Sequence, residues 1–302
     1  MEASPVKVAL SGASGLLGAA LRRTLAAHGY PVLQLVRRPS ASPGEFEWNP
    51  GAAPPLPSPG ILEGLRAAIH LSGANVAAHR WTAAYKREIT ISRVDSTRAL
   101  ATTLAHLRCP PQVMLVASAV GIYGNRGDAI LDETAPPGSG FLAGVCQQWE
   151  AAAEPARQAG IRVVHLRFGV VLGREGALAL MTPVFRLGLG GRLGSGREWM
   201  SWISLDDAVS AILFAIEKPS LAGPVNLTSP NPVTNAEFTR ALAKQIRRPA
   251  ILPAPGFALR LALGQMADEA LLASTRVQPA RLIAAGFQFA HPTIGQALAA
   301  AL

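Results

Sequence analysis

The stretch "KVALSGASGLLGAALRR" constrains this chain more than any other. It places Gly12, Gly15 and Gly18 at three-residue intervals, after a short apolar run (7–12) and before an amphipathic pattern (16–29) that stops at Gly29. A strand that turns at once into a helix needs a first glycine for the turn. It needs a second where backbone approaches a phosphate, and a third where helix crosses strand. The free N–H groups and positive dipole end of such a helix attract a pyrophosphate. The motif therefore predicts a dinucleotide site that includes Gly12, Ser14, Gly15, Leu16, Leu17 and Gly18.

The pattern that follows fits the same architecture. Apolar runs at 30–38, 66–73, 112–124 and 161–173 read as strands, and 82–107 and 141–159 read as helices. Strand–helix alternation of this kind implies parallel strands joined by right-handed crossovers. The expected fold is α/β, a Rossmann-type doubly wound parallel sheet with a smaller, interleaved C-terminal substrate lobe. The expected division is 1–175 for the nucleotide domain, with about 199–230 returning to it. Residues 176–302 then form mainly the substrate lobe, including a short C-terminal domain at about 248–298. Thr234 and Glu237 form a Thr-x-x-Glu capping box for a helix in that lobe.

The end of the second strand selects the cofactor. A carboxylate there would hold the ribose hydroxyls of NAD, but this chain carries Arg37 and Arg38, whose guanidinium groups suit a 2′-phosphate. The expectation is NADP(H). Ligands in open parallel sheets lie at the carboxyl ends of the strands. That places Ser72, Gly73 and Ala74 beside the adenine ribose, and Ser118 and Tyr123 beside the nicotinamide.

Charge and cysteine content exclude several classes. The net charge is +9, yet no basic run exceeds two residues, which argues against nucleic acid. The two cysteines, Cys109 and Cys146, form no Cys-x-x-Cys pair, and the histidines show no His-x-x-x-His, so no metal site is expected. No charged-then-apolar leader and no long apolar span stand out, so a cytoplasmic protein without membrane contact is expected. The expected partner is a small-molecule substrate, with monomer and homodimer both open.

The motifs "SGASGLLG", "HLSGAN" with the following "RW" and "SR" (70–93), "FLAGVCQQWEAAAE" (141–154), "LRFGVVLGREGAL" (166–178), "LGLGGRLGSGREWMSWISLDDAV" (187–209) and "GPVNLTSPNPVTNAEF" (223–238), with the tail from "RPAILPAPGFALRLALG" (248–264), carry a wider resemblance. The chain resembles the atypical extended short-chain dehydrogenase/reductases of the NAD-dependent epimerase/dehydratase type, in the branch labelled "epimerase family protein" or SulA-like nucleoside-diphosphate-sugar epimerase. The resemblance covers essentially the whole chain and implies NADP(H) binding, with Arg167 among the cofactor residues. It does not imply a particular reaction.

That superfamily uses a Tyr with a Lys four residues on. None of Tyr30, Tyr85 and Tyr123 has one. Aligned on Glu150, Leu142 takes the Tyr place and Cys146 the Lys place, and neither can replace it chemically. Ser118, Tyr123 and Arg93 remain as catalytic candidates, and His79, Glu198 and the Asp132–Glu133 pair are weighed beside them as proton donors. Arg192, Arg197 and Glu198 in the glycine-rich loop are candidate substrate residues; Asp206 and Asp207 read as a helix start. The first expectation is an oxidoreductase or epimerase with a non-standard acid–base group, acting on a small carbonyl or sugar-nucleotide-like substrate. The second is a non-catalytic NADP(H) sensor or regulator, which the SulA-like label ties to cell division.

Overall fold

The computed structural model describes residues 7–302. The first six residues, where the expected nucleotide domain begins and on which the leader-free reading partly rests, lie outside the described residues.

In chain order the strands are β1 (Val8–Ser11), β2 (Val32–Val36), β3 (Glu45–Glu47), β4 (Ala67–His70), β5 (Val113–Ala119), β6 (Ile130–Leu131), β7 (Arg162–Phe168), β8 (Val170–Leu172), β9 (Trp199–Met200), β10 (Trp202–Ser204), β11 (Gly223–Leu227), β12 (Val233–Thr234) and β13 (Arg276–Val277). The α-helices are α1 (Leu16–Ala27), α2 (Ala83–Ala105), α3 (Phe141–Ala151), α4 (Glu154–Gln158), α5 (Ala177–Arg186), α6 (Leu205–Glu217), α7 (Asn235–Ile246), α8 (Gly256–Leu263), α9 (Ala280–Ala284) and α10 (Ile294–Ala301).

Seven strands form one sheet in the order β11-β7-β5-β4-β1-β2-β3, and every pair in it is parallel. This is a Rossmann-like α/β fold. The order reverses at β1, so the crevice between the β1 and β4 ends is the switch point where such sheets bind ligands. Two apolar layers cover the sheet. One packs α1 and α6 against Val8, Leu10, Leu115 and Val225, with Leu282 and Phe287 from the tail. The other packs α2 and the α3–α4 segment against Ala9, Ala68, Met114 and Val116. In α1 the buried residues Gly18, Leu21 and Leu25 recur at helical spacing. Each leucine side chain removed from water there contributes about 2 kcal/mol.

A third apolar cluster belongs to the lobe beyond the strand ends. It joins α5, α7 and α10 around Trp202, Phe238 and Leu298. The Thr234 hydroxyl and Glu237 carboxylate complete the capping box that starts α7.

Local details differ from the sequence pattern. The helix expected over 141–159 breaks after Ala151, because Pro155 lacks an N–H and is accommodated only in the first turn of a new helix, α4. The strand expected over 161–173 divides at Gly169, which passes so close to the Ser201 carbonyl that a Cβ would lie 2.6 Å from its oxygen. The edge strand β3 has no counterpart in the expected pattern; three residues, "EFE", carry too short a signal.

Candidate functional site

The glycine motif builds a cradle whose shape only glycine allows. Gly12 adopts φ +76°, and a Cβ there would lie 2.8 Å from the Leu71 carbonyl carbon. A Cβ on Gly18 would lie 2.1 Å from the Gly12 oxygen. Gly15 differs: nothing but that same oxygen comes within 4 Å, and it is exposed beside Ser14. No side chain caps α1 at Gly15, so the amides of Leu16 and Leu17 head the helix without a side-chain acceptor. Steric closure at Gly12 and Gly18 with open approach at Gly15 fits the pyrophosphate of a dinucleotide.

The two arginines after β2 separate in role. Arg38 reaches Glu45 on β3 through both terminal nitrogens, at 2.9 and 2.6 Å. A carboxylate on β3 thus holds Arg38, and a phosphate beside β2 would compete with it. Arg37 is exposed and has no hydrogen-bond partner among the described residues.

Ser72, Gly73 and Ala74 form the loop after β4, beside Gly12. Arg93 anchors that loop from α2. Its guanidinium donates to the Ala74 carbonyl at 2.9 Å and to Ile89 at 3.1 Å, and it stacks 5.1 Å from the Trp149 ring centroid. In this position Arg93 holds the loop that follows β4. His79 is exposed and meets Tyr85 edge-on. Glu133 accepts the Asn226 amide at 2.9 Å, and Asp132 accepts the Thr134 amide and hydroxyl, so both fix loops. Asp207 accepts the Ala290 and His291 amides, and with Ser204 it organises the start of α6.

Behind the β5 and β7 ends lies a buried polar network. Arg167 binds Glu150 through two nitrogens, at 2.8 and 2.9 Å, and donates to the Tyr123 hydroxyl at 3.0 Å. Tyr123 in turn donates to Asn226 Oδ1 at 2.8 Å, and Ser118 donates to Glu150 at 2.7 Å. Burial raises the Tyr123 phenol above its ordinary value. Burial pushes the Glu150 carboxyl upward, but the Arg167 guanidinium outweighs it and holds the group below the usual carboxylate range. Three of the expected site residues belong to this network. Tyr123 is fully buried and donates to Asn226. Ser118 is buried and bonded to Glu150. Arg167 is buried against Glu150 and Tyr123 and braces the strand ends.

In front of those strand ends a cleft of about 590 Å³ opens between sheet and lobe. Ala119, Val120, Gly121, Leu142 and Phe168 line its sheet side, and Met181, Phe185, Leu193, Trp199 and Phe238 line its lobe side. Leu142, expected at the Tyr place, borders the cleft. Cys146, one turn on, does not border it. The thiol is buried with Ile122, Tyr123, Leu131 and Val277, and burial pushes its pKa up to about 11. Of the three candidate substrate residues only Glu198 lines the cleft; Arg192 and Arg197 are exposed and do not border it.

Two acidic residues at the cleft were not anticipated. Glu269 accepts the α3 amides of Phe141 and Leu142, and Asp268 pairs with Arg260 at 2.7 Å. Both come from a short π-helical turn, Ala267–Leu271, whose sequence "ADEAL" looks like ordinary helix. No local signal marks them, because their partners lie far away along the chain or depend on the lobe's docking.

The profile of the NAD dependent epimerase/dehydratase family matches residues 8–227, and that of a domain of unknown function (DUF1731) matches residues 254–301. The chain belongs to the NAD dependent epimerase/dehydratase family. Among its relatives, epimerase family protein Mb2239 of Mycobacterium bovis is 48% identical over 292 residues, spanning 96% of each chain. The crystal structure of human epimerase family protein SDR39U1 with NADPH superposes with a TM-score of 0.90 at 33% identity, covering 98% of this chain and 99% of that one. A nucleoside-diphosphate sugar epimerase from Corynebacterium glutamicum superposes with a TM-score of 0.81 at 37% identity, covering 99% of this chain and 58% of that one. These relatives place the chain in the atypical epimerase branch of the short-chain dehydrogenase/reductase superfamily. No helix of the described residues is long and apolar enough to cross a membrane.

Proposed function

We propose that this chain is an NADP(H)-dependent oxidoreductase or epimerase-like enzyme that acts on a small carbonyl compound or the corresponding alcohol. The observation that carries the proposal is the cleft of about 590 Å³, which begins at Ala119–Gly121 and Leu142, beside the switch point, and is large enough for a small ligand. Nicotinamide chemistry would supply or accept the hydride. The Gly12–Gly18 cradle would bind the pyrophosphate, and Arg37 the 2′-phosphate. The NADPH in the human relative's structure supports the choice of cofactor. The apolar walls exclude water from the reacting centre.

Proton movement needs a group other than Tyr123, Cys146 or Leu142. Of the three carboxylates at the cleft, Asp268 and Glu269 are engaged, whereas Glu198 Oε2 has no partner. Turned toward the cleft that its side chain lines, Glu198 Oε2 would take a proton from a substrate hydroxyl in the oxidising direction and return it in the reducing one. The two free cysteines, one of them exposed, support a reducing, cytoplasmic setting.

A second reading, a non-catalytic NADP(H) sensor, is favoured by one feature: Leu142, which cannot carry a proton, stands where the catalytic phenol would. The test is NADPH oxidation against a panel of aldehydes and ketones. The enzyme reading expects turnover that Glu198→Gln lowers at least tenfold in kcat, the scale of general acid–base catalysis. NADPH binding with no oxidation by any member of the panel would leave the sensor.

A further inference from the structure

The cleft lining carries charge of one sign only. Glu198, Asp268 and Glu269 border it, and among the described residues no lysine or arginine does. Two of those carboxylates are satisfied: Asp268 by Arg260, and Glu269 by two helix amides and the Gln265 side chain at 2.6 Å. Glu198 is not. Its Oε1 accepts from the Ser195 hydroxyl at 2.8 Å, while its Oε2 is buried without a partner. A buried acceptor left unsatisfied is costly, and a charged one more so. Glu198 lines the cleft, so a turn of its side chain would present that oxygen to a donor on a bound molecule and remove the cost.

The remaining walls are apolar, from Leu142, Phe168, Val170, Met181, Phe185 and Trp199. The apolar character continues outside. The segment after α5 runs beside 252–254, where Leu252 donates to the Gly190 carbonyl at 3.2 Å and Ala254 to Arg192 at 2.9 Å. Leu187, Leu189 and Leu252 on these segments are all exposed, and Arg276 is drawn to the Trp199 ring, 4.1 Å from its centroid.

We propose that the cleft selects an apolar molecule whose polar end donates a hydrogen bond and carries no negative charge, an alcohol or an amine, and that Glu198 Oε2 receives that donor. This rests on the reading of the cleft as the substrate site. It excludes sugar nucleotides as the substrate class. A diphosphate brings negative charge that needs guanidinium, ammonium or helix-end amides, and the cleft offers carboxylates instead.

4-Phenylbutanol, 4-phenylbutylamine and 4-phenylbutyrate share one apolar body and differ in the polar end. They would be titrated by calorimetry into the NADPH-saturated protein, with UDP-glucose as a fourth probe. The alcohol and the amine are expected to bind at least about tenfold more tightly than the carboxylate, the scale of one charge-assisted hydrogen bond, and UDP-glucose not to compete. Glu198→Gln is expected to shrink the amine-over-carboxylate preference about tenfold while NADPH affinity, which reports the fold, stays the same. The proposal is overturned if phenylbutyrate or UDP-glucose binds as tightly as the amine, if neither donor binds, or if Glu198→Gln leaves the preference unchanged. The expected preference without turnover of any carbonyl would defeat the oxidoreductase reading alone. Carbonyl turnover with tighter carboxylate binding would defeat this one alone.

Discussion

Glu269 accepts the backbone N–H of Leu142 at 2.8 Å through one carboxylate oxygen and that of Phe141 at 3.0 Å through the other. Helix α3 begins at Gly140, which has no side chain to cap it and sits at φ +110°. Its first amides are satisfied from the tail of the chain, and a carboxylate at that end also meets the helix dipole favourably. One residue thus caps α3 and fastens the tail across the cleft. Glu269→Ala is expected to lower the unfolding free energy by about 1–2 kcal/mol, the usual cost of a lost cap. Glu269→Gln should cost less. Urea unfolding of the three proteins measures this, and an unchanged midpoint for the alanine variant would show that the cap contributes nothing.

Cys146 lies one turn beyond Leu142 on α3 and faces away from the cleft into an apolar cluster. Its thiol is buried, and burial pushes its pKa up to about 11, so at pH 8 it is neither accessible nor ionised. Ellman's reagent on the native protein at pH 8 should therefore react with exposed Cys109 alone, and with Cys146 only after denaturation. Rapid labelling of native Cys109→Ala would contradict this.

What the sequence made legible was what is encoded locally. The cradle of Gly12, Gly15 and Gly18, the alternation that gives a parallel sheet, and the Thr234–Glu237 box all depend on neighbours within a turn or two. What it concealed depends on partners distant in sequence. Tyr123 follows a strand at a suggestive position, yet Asn226, on a strand added about a hundred residues later, takes its hydroxyl into the core. Arg38 looks equivalent to Arg37 until β3 brings Glu45 to it. Arg192 and Arg197 sit in a loop beside the cleft, but of the charged residues in that loop only Glu198 lines it. Side-chain direction in a glycine-rich loop follows backbone angles that composition does not encode.

Arg37 and Arg38 should now separate by mutation. Arg37→Ala is expected to weaken NADPH binding about tenfold or more and leave NADH unchanged, because it removes a charge-assisted bond to the 2′-phosphate alone. Arg38→Ala should have the smaller effect, since its guanidinium is held by Glu45. Isothermal titrations with both nucleotides decide the matter. Equal losses for NADPH and NADH with Arg37→Ala would remove it from the phosphate site.

His70, at the end of β4, is wholly buried between the hydroxyls of Ser11 at 2.6 Å and Ser96 at 2.9 Å. Ser96 donates its own proton to the Ser92 carbonyl, so His70 carries its hydrogen on Nε2 and accepts from Ser11 at Nδ1. Burial lowers its pKa from 6.5 to about 4. Between pH 6.5 and 4 the unfolded chain binds a proton that the native chain refuses. The stability associated with neutral His70 is therefore complete above pH 6.5, falls as pH drops toward 4, and changes no further below that. The slope attributable to this group is at most about 1.4 kcal/mol per pH unit. Urea unfolding at pH 7, 6 and 5 should show a smaller decline for His70→Gln, which cannot take up the proton. Parallel declines would mean that other groups carry the acid sensitivity.

Arg167 and Glu150 provide a test of whether the buried network serves the cofactor or the fold. Both side chains are largely withdrawn from water and joined by two short bonds, so removing one partner strands the other's charge. Glu150→Ala is expected to cost about 3–5 kcal/mol of stability, whereas Glu150→Leu combined with Arg167→Met should recover most of it, because an apolar pair leaves no charge unpaired. NADPH affinity of the double variant, measured well below its unfolding temperature, is expected to stay within about twofold of the parent, since neither side chain reaches the cradle in this geometry. A double variant that is stable but has lost NADPH would return Arg167 to the cofactor site. A single Glu150→Ala variant as stable as the parent would show that Arg167 is solvated by another route.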